Sequence, residues 1–232
     1  MCEFFVLKLL RHKALCTHGL CGVFVFMYSN TSLFRFYKGV LSMKRTNTRA
    51  MVECALMIAV GTVLAQIKIF TMPYGGSVTL VSMLPFIVVS YRHGVKWGLF
   101  TGFVNSLLQM LTNFYLPPAG TFAAVVAMIL LDYMLAFMCL GLATVFAKPF
   151  KNNKIGAAVG TAVVCFMRFL CSFLSGALLW GSYQSYYEWA TGLTVWEYSL
   201  IYNASYMLPE MIITAAAAVL IASLAPFFFE KQ

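Results

Sequence analysis

The chain has 232 residues, of which 62% are hydrophobic and 10% charged; a soluble domain carries roughly a quarter charged residues, so the composition excludes an ordinary soluble enzyme and indicates a polytopic membrane protein. The net charge of +9 would suit a nucleic-acid partner if the basic residues lined one face. They fall instead in short clusters between apolar runs, which excludes nucleic acid and fits the bias of cytoplasmic loops.

Residues 1–42 hold Glu3, Lys8, Arg11, Lys13, Arg35 and Lys38 around a short apolar run at 19–27. That run is too short to cross a bilayer, which takes about 20 residues, and no small-residue cleavage site follows it. Met43 opens MKRTNTRAMVECALMIAVG, a basic flank followed by a helix. We therefore expect residues 1–42 to be an upstream extension from a misassigned start, or alternatively an interfacial segment, and 43–232 to be one membrane domain.

Six spans are expected, at 52–70, 78–91, 95–111, 121–146, 155–180 and 206–228, giving an all-α membrane protein. The second and third are short, which suggests a tilt or a break. Connections rich in Lys and Arg alternate with connections that have none. Lys44, Arg45 and Arg49 precede the first span, Arg92, His93 and Lys96 separate the second from the third, and Lys148, Lys151 and Lys154 fill the fourth connection. Positive loops stay in the cytoplasm, so both termini are expected inside and the turn at 71–77, the Pro117–Pro118 loop and the stretch at 183–210 outside.

That last stretch has no Lys or Arg but carries Tyr183, Tyr186, Tyr187, Trp189, Trp196, Tyr198, Tyr202 and Tyr206, with Glu188, Glu197 and Glu210. Aromatic faces beside carboxylates suit a small, flat, cationic ligand; an aromatic belt at the membrane interface is the plainer alternative.

Glu53, Asp132, Arg168 and Glu210 sit within or near the spans. Each costs about 2.5–3.5 kcal/mol at mid-bilayer on insertion scales and should face the bundle interior. Asp132, the only Asp, either staples its helix to Arg168 or serves as a ligand carboxylate that Arg168 keeps ionised. Arg168, Ser172, Gly176 and Trp180 recur in steps of four and form a slowly rotating stripe, since each step lags a full turn by about 40°. Ser175 and Gly176 leave room beside it. Glu210 follows Pro209, which is tolerated near a helix start. Asp132, this stripe, Glu210 and the aromatic stretch can thus converge on one cavity. Small-residue pairs four apart, Ala55/Ala59, Gly94/Gly98 and Gly156/Gly160, read as close internal packing.

Chemistry is sparse. No GxxxxGK[ST] cradles ATP, and His93 is the only histidine after residue 18, so no Ser/His dyad or His-based metal site forms within the membrane. No cofactor, metal or catalytic residue is expected. The cysteines lack metal-ligand spacing, and Cys54, Cys139, Cys165 and Cys171 lie in apolar runs as reduced packing residues.

The segments RTNTRAMVECALMIAVG, LVSMLPFIVVSYRHGVKWGLFTG, LLDYMLAF with CLGLA, RFLCSFLSGALLWGSY and EYSLIYNASYMLPE, in that order, resemble the thiamine-binding S components of energy-coupling factor transporters, the ThiT family. The resemblance runs from Met43 to the C-terminus. It implies a six-helix bacterial plasma-membrane protein, without ATPase activity of its own, that binds thiamine in an outward-facing pocket. Such a protein docks on a transmembrane T protein and two ATP-binding cassette ATPases. The family's acidic–aromatic pair falls on Asp132 and Tyr133, its aromatic wall on Trp180, and its Tyr and Asn five apart on Tyr198 and Asn203. Ser172 stands where a family His is expected; Tyr202 and Glu210 complete the expected site. The resemblance also turns Ala55 and Ala59 into the docking face, and makes residues 70–77 a mobile lid with Phe70 or Tyr74 as its aromatic. An S component for another vitamin or a thiamine precursor, a self-sufficient secondary transporter and a membrane enzyme are the competing readings; no internal repeat supports the second.

Overall fold

The computed structural model describes residues 47–72, 76–118, 120–225 and 229. Residues 1–42, Lys44, Arg45 and Tyr74, on which some sequence expectations rest, lie outside these. The chain divides into two compact units, Met1–Val52 and Glu53–Gln232. Of the first, only the opening turns of a helix are described.

That helix, α1 (Asn47–Gln66), ends four residues before the expected end of its span. Lys68–Thr71 (β1) pairs antiparallel with Ser77–Thr79 (β2), Phe70 opposite Val78 and Thr71 opposite Ser77. The fold is thus mostly helical rather than all-α. Isoleucines at 67 and 69 and a threonine at 71, alternating along an exposed segment, favour strand over helix once the buried face of α1 runs out.

A short α2 (Leu84–His93) follows, with Pro85 in its first turn. It meets α3 (Val95–Thr112) at Gly94, whose φ of 85° lies in the left-handed region. No neighbour would touch a Cβ at Gly94, so the backbone alone calls for glycine there. Helix α4 (Phe122–Ala147) starts at a Thr121 cap. It then widens into a π-helical segment at Ile129–Leu135 and tightens into a 3-10 turn at Cys139–Leu142. Helix α5 (Asn153–Leu179) is capped by Asn152. Two 3-10 turns, Gly181–Tyr186 and Glu188–Ala190, lead to α6 (Val195–Leu224).

Sequence reading placed the start of the last helix at 206. It begins eleven residues earlier because Thr194 and Glu197 form a capping box, satisfying two otherwise orphaned N–H groups reciprocally. Pro209 consequently lies inside α6 rather than near its start. Among the described residues, four helices, α1, α4, α5 and α6, are long and apolar enough to cross a membrane. The expected second and third spans correspond to α2, of 10 residues, and α3, of 18.

The core lies where α2, the second half of α4, α5 and α6 meet, around Ile87, Leu140, Ala143, Ala157, Val164 and Ala218. Small residues bring these helices close, as expected where lipid gives no hydrophobic drive to pack. A Cβ on Gly102 would stand 2.5 Å from the Phe137 carbonyl oxygen, and one on Gly98 2.8 Å from the Cα of Gly141. Gly160 faces the Ala143 carbonyl just as closely. Buried hydroxyls stitch α2 to α4: Ser90 donates to the Gly141 carbonyl at 2.5 Å, and Thr144 donates to that of Ser90 at 2.5 Å. Gly102→Val is expected to cost about 1–3 kcal/mol through overpacking, read as a lower thermal midpoint in detergent. An unchanged midpoint would mean that α3 and α4 do not approach this closely.

A buried ion cluster ties α1 to α2. Arg92 grips Glu53 with two nitrogens, Nε to Oε2 at 2.9 Å and Nη2 to Oε1 at 3.2 Å, while His93 Nε2 lies 2.8 Å from the same Oε2. Glu53 and Arg92 are 1% and 2% exposed. Arg92 is therefore a packed partner of Glu53 and not a solvated loop charge.

Candidate functional site

Asp132 sits in the π-helical segment of α4, and its Oδ2 accepts from Ser175 Oγ at 2.6 Å and from Trp180 Nε1 at 3.1 Å. Both donors belong to α5 and its C-terminal cap. The wide π turn lets two adjacent residues serve different neighbours. Asp132 turns to α5, whereas Tyr133 donates to the Asn113 carbonyl at 2.6 Å and stacks on Phe114, fastening the end of α3. The Trp180 indole stacks on Tyr183, with ring centroids 5.7 Å apart and planes at 29°.

The Asp132–Arg168 staple, one of the two readings of Asp132, does not form. Arg168 instead places its guanidinium over the Phe137 ring, 4.6 Å from the centroid. Its Nε and Nη1 are buried without a hydrogen-bond partner among the described residues.

A second polar group lines α6. Asn203, buried, donates from Nδ2 to the Ser199 carbonyl at 2.9 Å, and its Oδ1 accepts from the Tyr206 hydroxyl at 2.8 Å. Sequence reading left free space beside Gly176, but Ser199 and Asn203 of α6 pack directly against it. Ser175 is likewise spent on Asp132, so neither position leaves a void. Further along α6, Glu210 is 2% exposed and accepts from the Thr79 hydroxyl at the end of β2.

The aromatic stretch divides between the two roles considered for it. Tyr187, Trp189, Tyr198 and Tyr202 form a connected ladder with centroids 5.6–6.0 Å apart, and Tyr202 passes it on to Tyr206. Tyr198 is buried at its centre. Trp196 instead packs on Phe173 and remains half exposed, and Tyr186 is 65% exposed, as belt residues would be.

A groove of about 500 Å³ opens beside Gly181, Gln184 and Thr191. It offers neither a charge nor an aromatic face to a cation. Phe70 is exposed on β1, and Ala55 and Ala59 are exposed on one face of α1.

The expected residues therefore gather as two groups, Asp132 with Trp180 at α5 and Asn203 with Tyr206 along α6, packed on Gly176 of α5. Glu210 is joined to the hairpin. Sequence reading named Ser175 only as leaving room and Tyr206 only within the aromatic stretch, and it did not name Thr79. Ser175 was legible as a second hydroxyl in CSFLSG, one turn from Ser172. The pairing of Thr79 with Glu210 spans 131 residues and left no local signal.

Residues 51–230 match the model of a family described as "Thiamine transporter protein (Thia_YuaJ)". The thiamine transporter ThiT of Bacillus subtilis (strain 168) is 33% identical over 187 residues, covering 76% of this chain and 91% of that protein. A solved structure of ThiT from Listeria monocytogenes superposes with a TM-score of 0.64 at 22% identity, covering 79% of this chain and 97% of that one. At that identity the likeness establishes the fold.

Proposed function

This chain belongs to the family of thiamine transporter proteins, and from that premise we propose that it binds thiamine as the S component of an energy-coupling factor importer. It spans the plasma membrane six times with both termini inside and presents its pocket to the outside. One observation carries the ligand reading: a carboxylate, Asp132, held by the indole N–H of Trp180. Thiamine offers a flat aminopyrimidine, which the carboxylate takes as a hydrogen-bond donor, and a permanently charged thiazolium, which the aromatic rings receive. Cation–π contact contributes roughly 0.5–2 kcal/mol and a charge-assisted hydrogen bond about 1.5–3. An anionic or wholly apolar vitamin gains little from such a wall. Tyr202, Asn203 and Ser172 complete the site, with Tyr133 and Tyr198 supporting it from behind.

The chain carries no nucleotide-cradling motif, so transport energy comes from the T protein and two ATPases. The exposed Ala55–Ala59 face admits a close-packed helix of the T protein. Proteoliposomes carrying this chain alone are expected to take up no thiamine, and those that also carry the module to take it up with ATP. Ala59→Trp should reduce uptake at least tenfold while thiamine binding is retained. Proton- or sodium-driven uptake by the chain alone would replace this reading with a secondary transporter.

A further inference from the structure

Glu210 is a carboxylate sealed inside a helix of a membrane protein, where ionisation is tolerated only if donors surround it. The donor comes from outside its own helix: the Thr79 hydroxyl donates to Oε1. The Ser82 hydroxyl, 2.6 Å from that of Thr79, donates to it in turn and so fixes its direction. Between them Val81 adopts a φ of 57°, a left-handed conformation that β-branched residues avoid and that persists only where surrounding contacts hold it. One turn back on the same helix face lies Tyr206, and Gly76 of the hairpin sits against its ring. A Cβ at Gly76 would stand 2.8 Å from Tyr206 Cε1, and the φ of 79° admits few residues besides glycine. The Tyr206 hydroxyl in turn fixes the side-chain amide of Asn203 at 2.8 Å. Residues 203, 206 and 210 follow spacings of three and four and share one face of α6.

We propose that Glu210 is a positioning residue: through Thr79, which Ser82 holds from behind, it clasps β2 to α6 and thereby holds Tyr206 and Asn203 in place for the ligand. The inference rests on the reading of Asn203 as part of a thiamine site. It assigns Glu210 an action through the protein and not a contact with the ligand. Arg168 of α5 supplies no hydrogen bond to this carboxylate among the described residues.

The test is stopped-flow tryptophan fluorescence with thiamine on the purified full chain, comparing wild type with Glu210→Met, Thr79→Val, their double variant and Thr79→Ser. Glu210→Met, which leaves no acceptor, and Thr79→Val should each raise the dissociation rate about tenfold, one factor of ten per lost hydrogen bond of this class. Association should change less than about twofold, because the clasp acts after encounter. The double variant should match the single ones, since both break the same bond, and Thr79→Ser should restore wild-type rates. Wild-type rates in Thr79→Val, or an effect of Glu210→Met alone, would overturn the clasp. Amide exchange at residues 76–82 reads the clasp without ligand and should quicken at least tenfold in Glu210→Met; unchanged exchange would overturn it too. Wild type that binds no thiamine, beside quickened exchange, would remove the thiamine reading and leave the clasp standing.

Discussion

Arg92→Ala is expected to destabilise the protein by about 3–5 kcal/mol, the range for removing one partner of a buried ion pair. The guanidinium holds Glu53 through two short bonds in a site closed to solvent, so its loss takes the bidentate partner from a buried carboxylate. Glu53→Ala should cost a similar amount by taking the same two bonds from a buried guanidinium. The informative variant replaces both, Glu53→Leu with Arg92→Met, and should recover most of the loss, because two apolar side chains remove the desolvation cost together with the attraction. Chemical denaturation in detergent would read all four proteins. If Arg92→Ala were as stable as wild type, α1 and α2 would not be joined by this cluster.

Asp132→Asn is expected to weaken thiamine binding about 10- to 100-fold, the equivalent of losing one charge-assisted hydrogen bond of 1.5–3 kcal/mol. The amide oxygen still accepts from Ser175 and Trp180, so the contacts between α4 and α5 survive and stability should change by less than about 1 kcal/mol. Calorimetric titration separates the two effects. Weaker binding with an unchanged thermal midpoint supports a ligand carboxylate. A lowered midpoint with unchanged affinity would make Asp132 a structural link between α4 and α5. Ser175→Ala is the companion variant. It removes a donor to Asp132 but no charge, and should cost severalfold rather than a hundredfold.

Membrane character, helical content and most span positions were legible because they depend on composition and on runs of apolar residues long enough to matter. Asp132 and Trp180 could be singled out as an ionisable and an aromatic group at an apolar boundary, and the structure does join them. The errors have local causes. The TVWE box at residues 194–197 is a legible capping signal, but the reading did not use it and began the last helix at 206. The residues just after α1 read as more span, although Lys68–Thr71 form a strand. Arg92 counted as a loop charge because the sequence gives no sign that Glu53, 39 positions away, comes to meet it. Gly176 looked like room for a ligand because a glycine announces space without saying which neighbour fills it; Ser199 and Asn203 do. Contacts between distant segments set these details, and a single sequence carries little record of them.

The central claim is that thiamine binds beside Asp132 and Trp180, and quenching of intrinsic tryptophan fluorescence on titrating thiamine into the solubilised chain tests it most directly. Saturable quenching of wild type at submicromolar thiamine, with the apparent Kd raised about 2- to 30-fold in Trp180→Ala for the loss of one cation–π contact, is the predicted result. A flat titration of folded wild type, or wild-type affinity retained in both Trp180→Ala and Asp132→Asn, would contradict it.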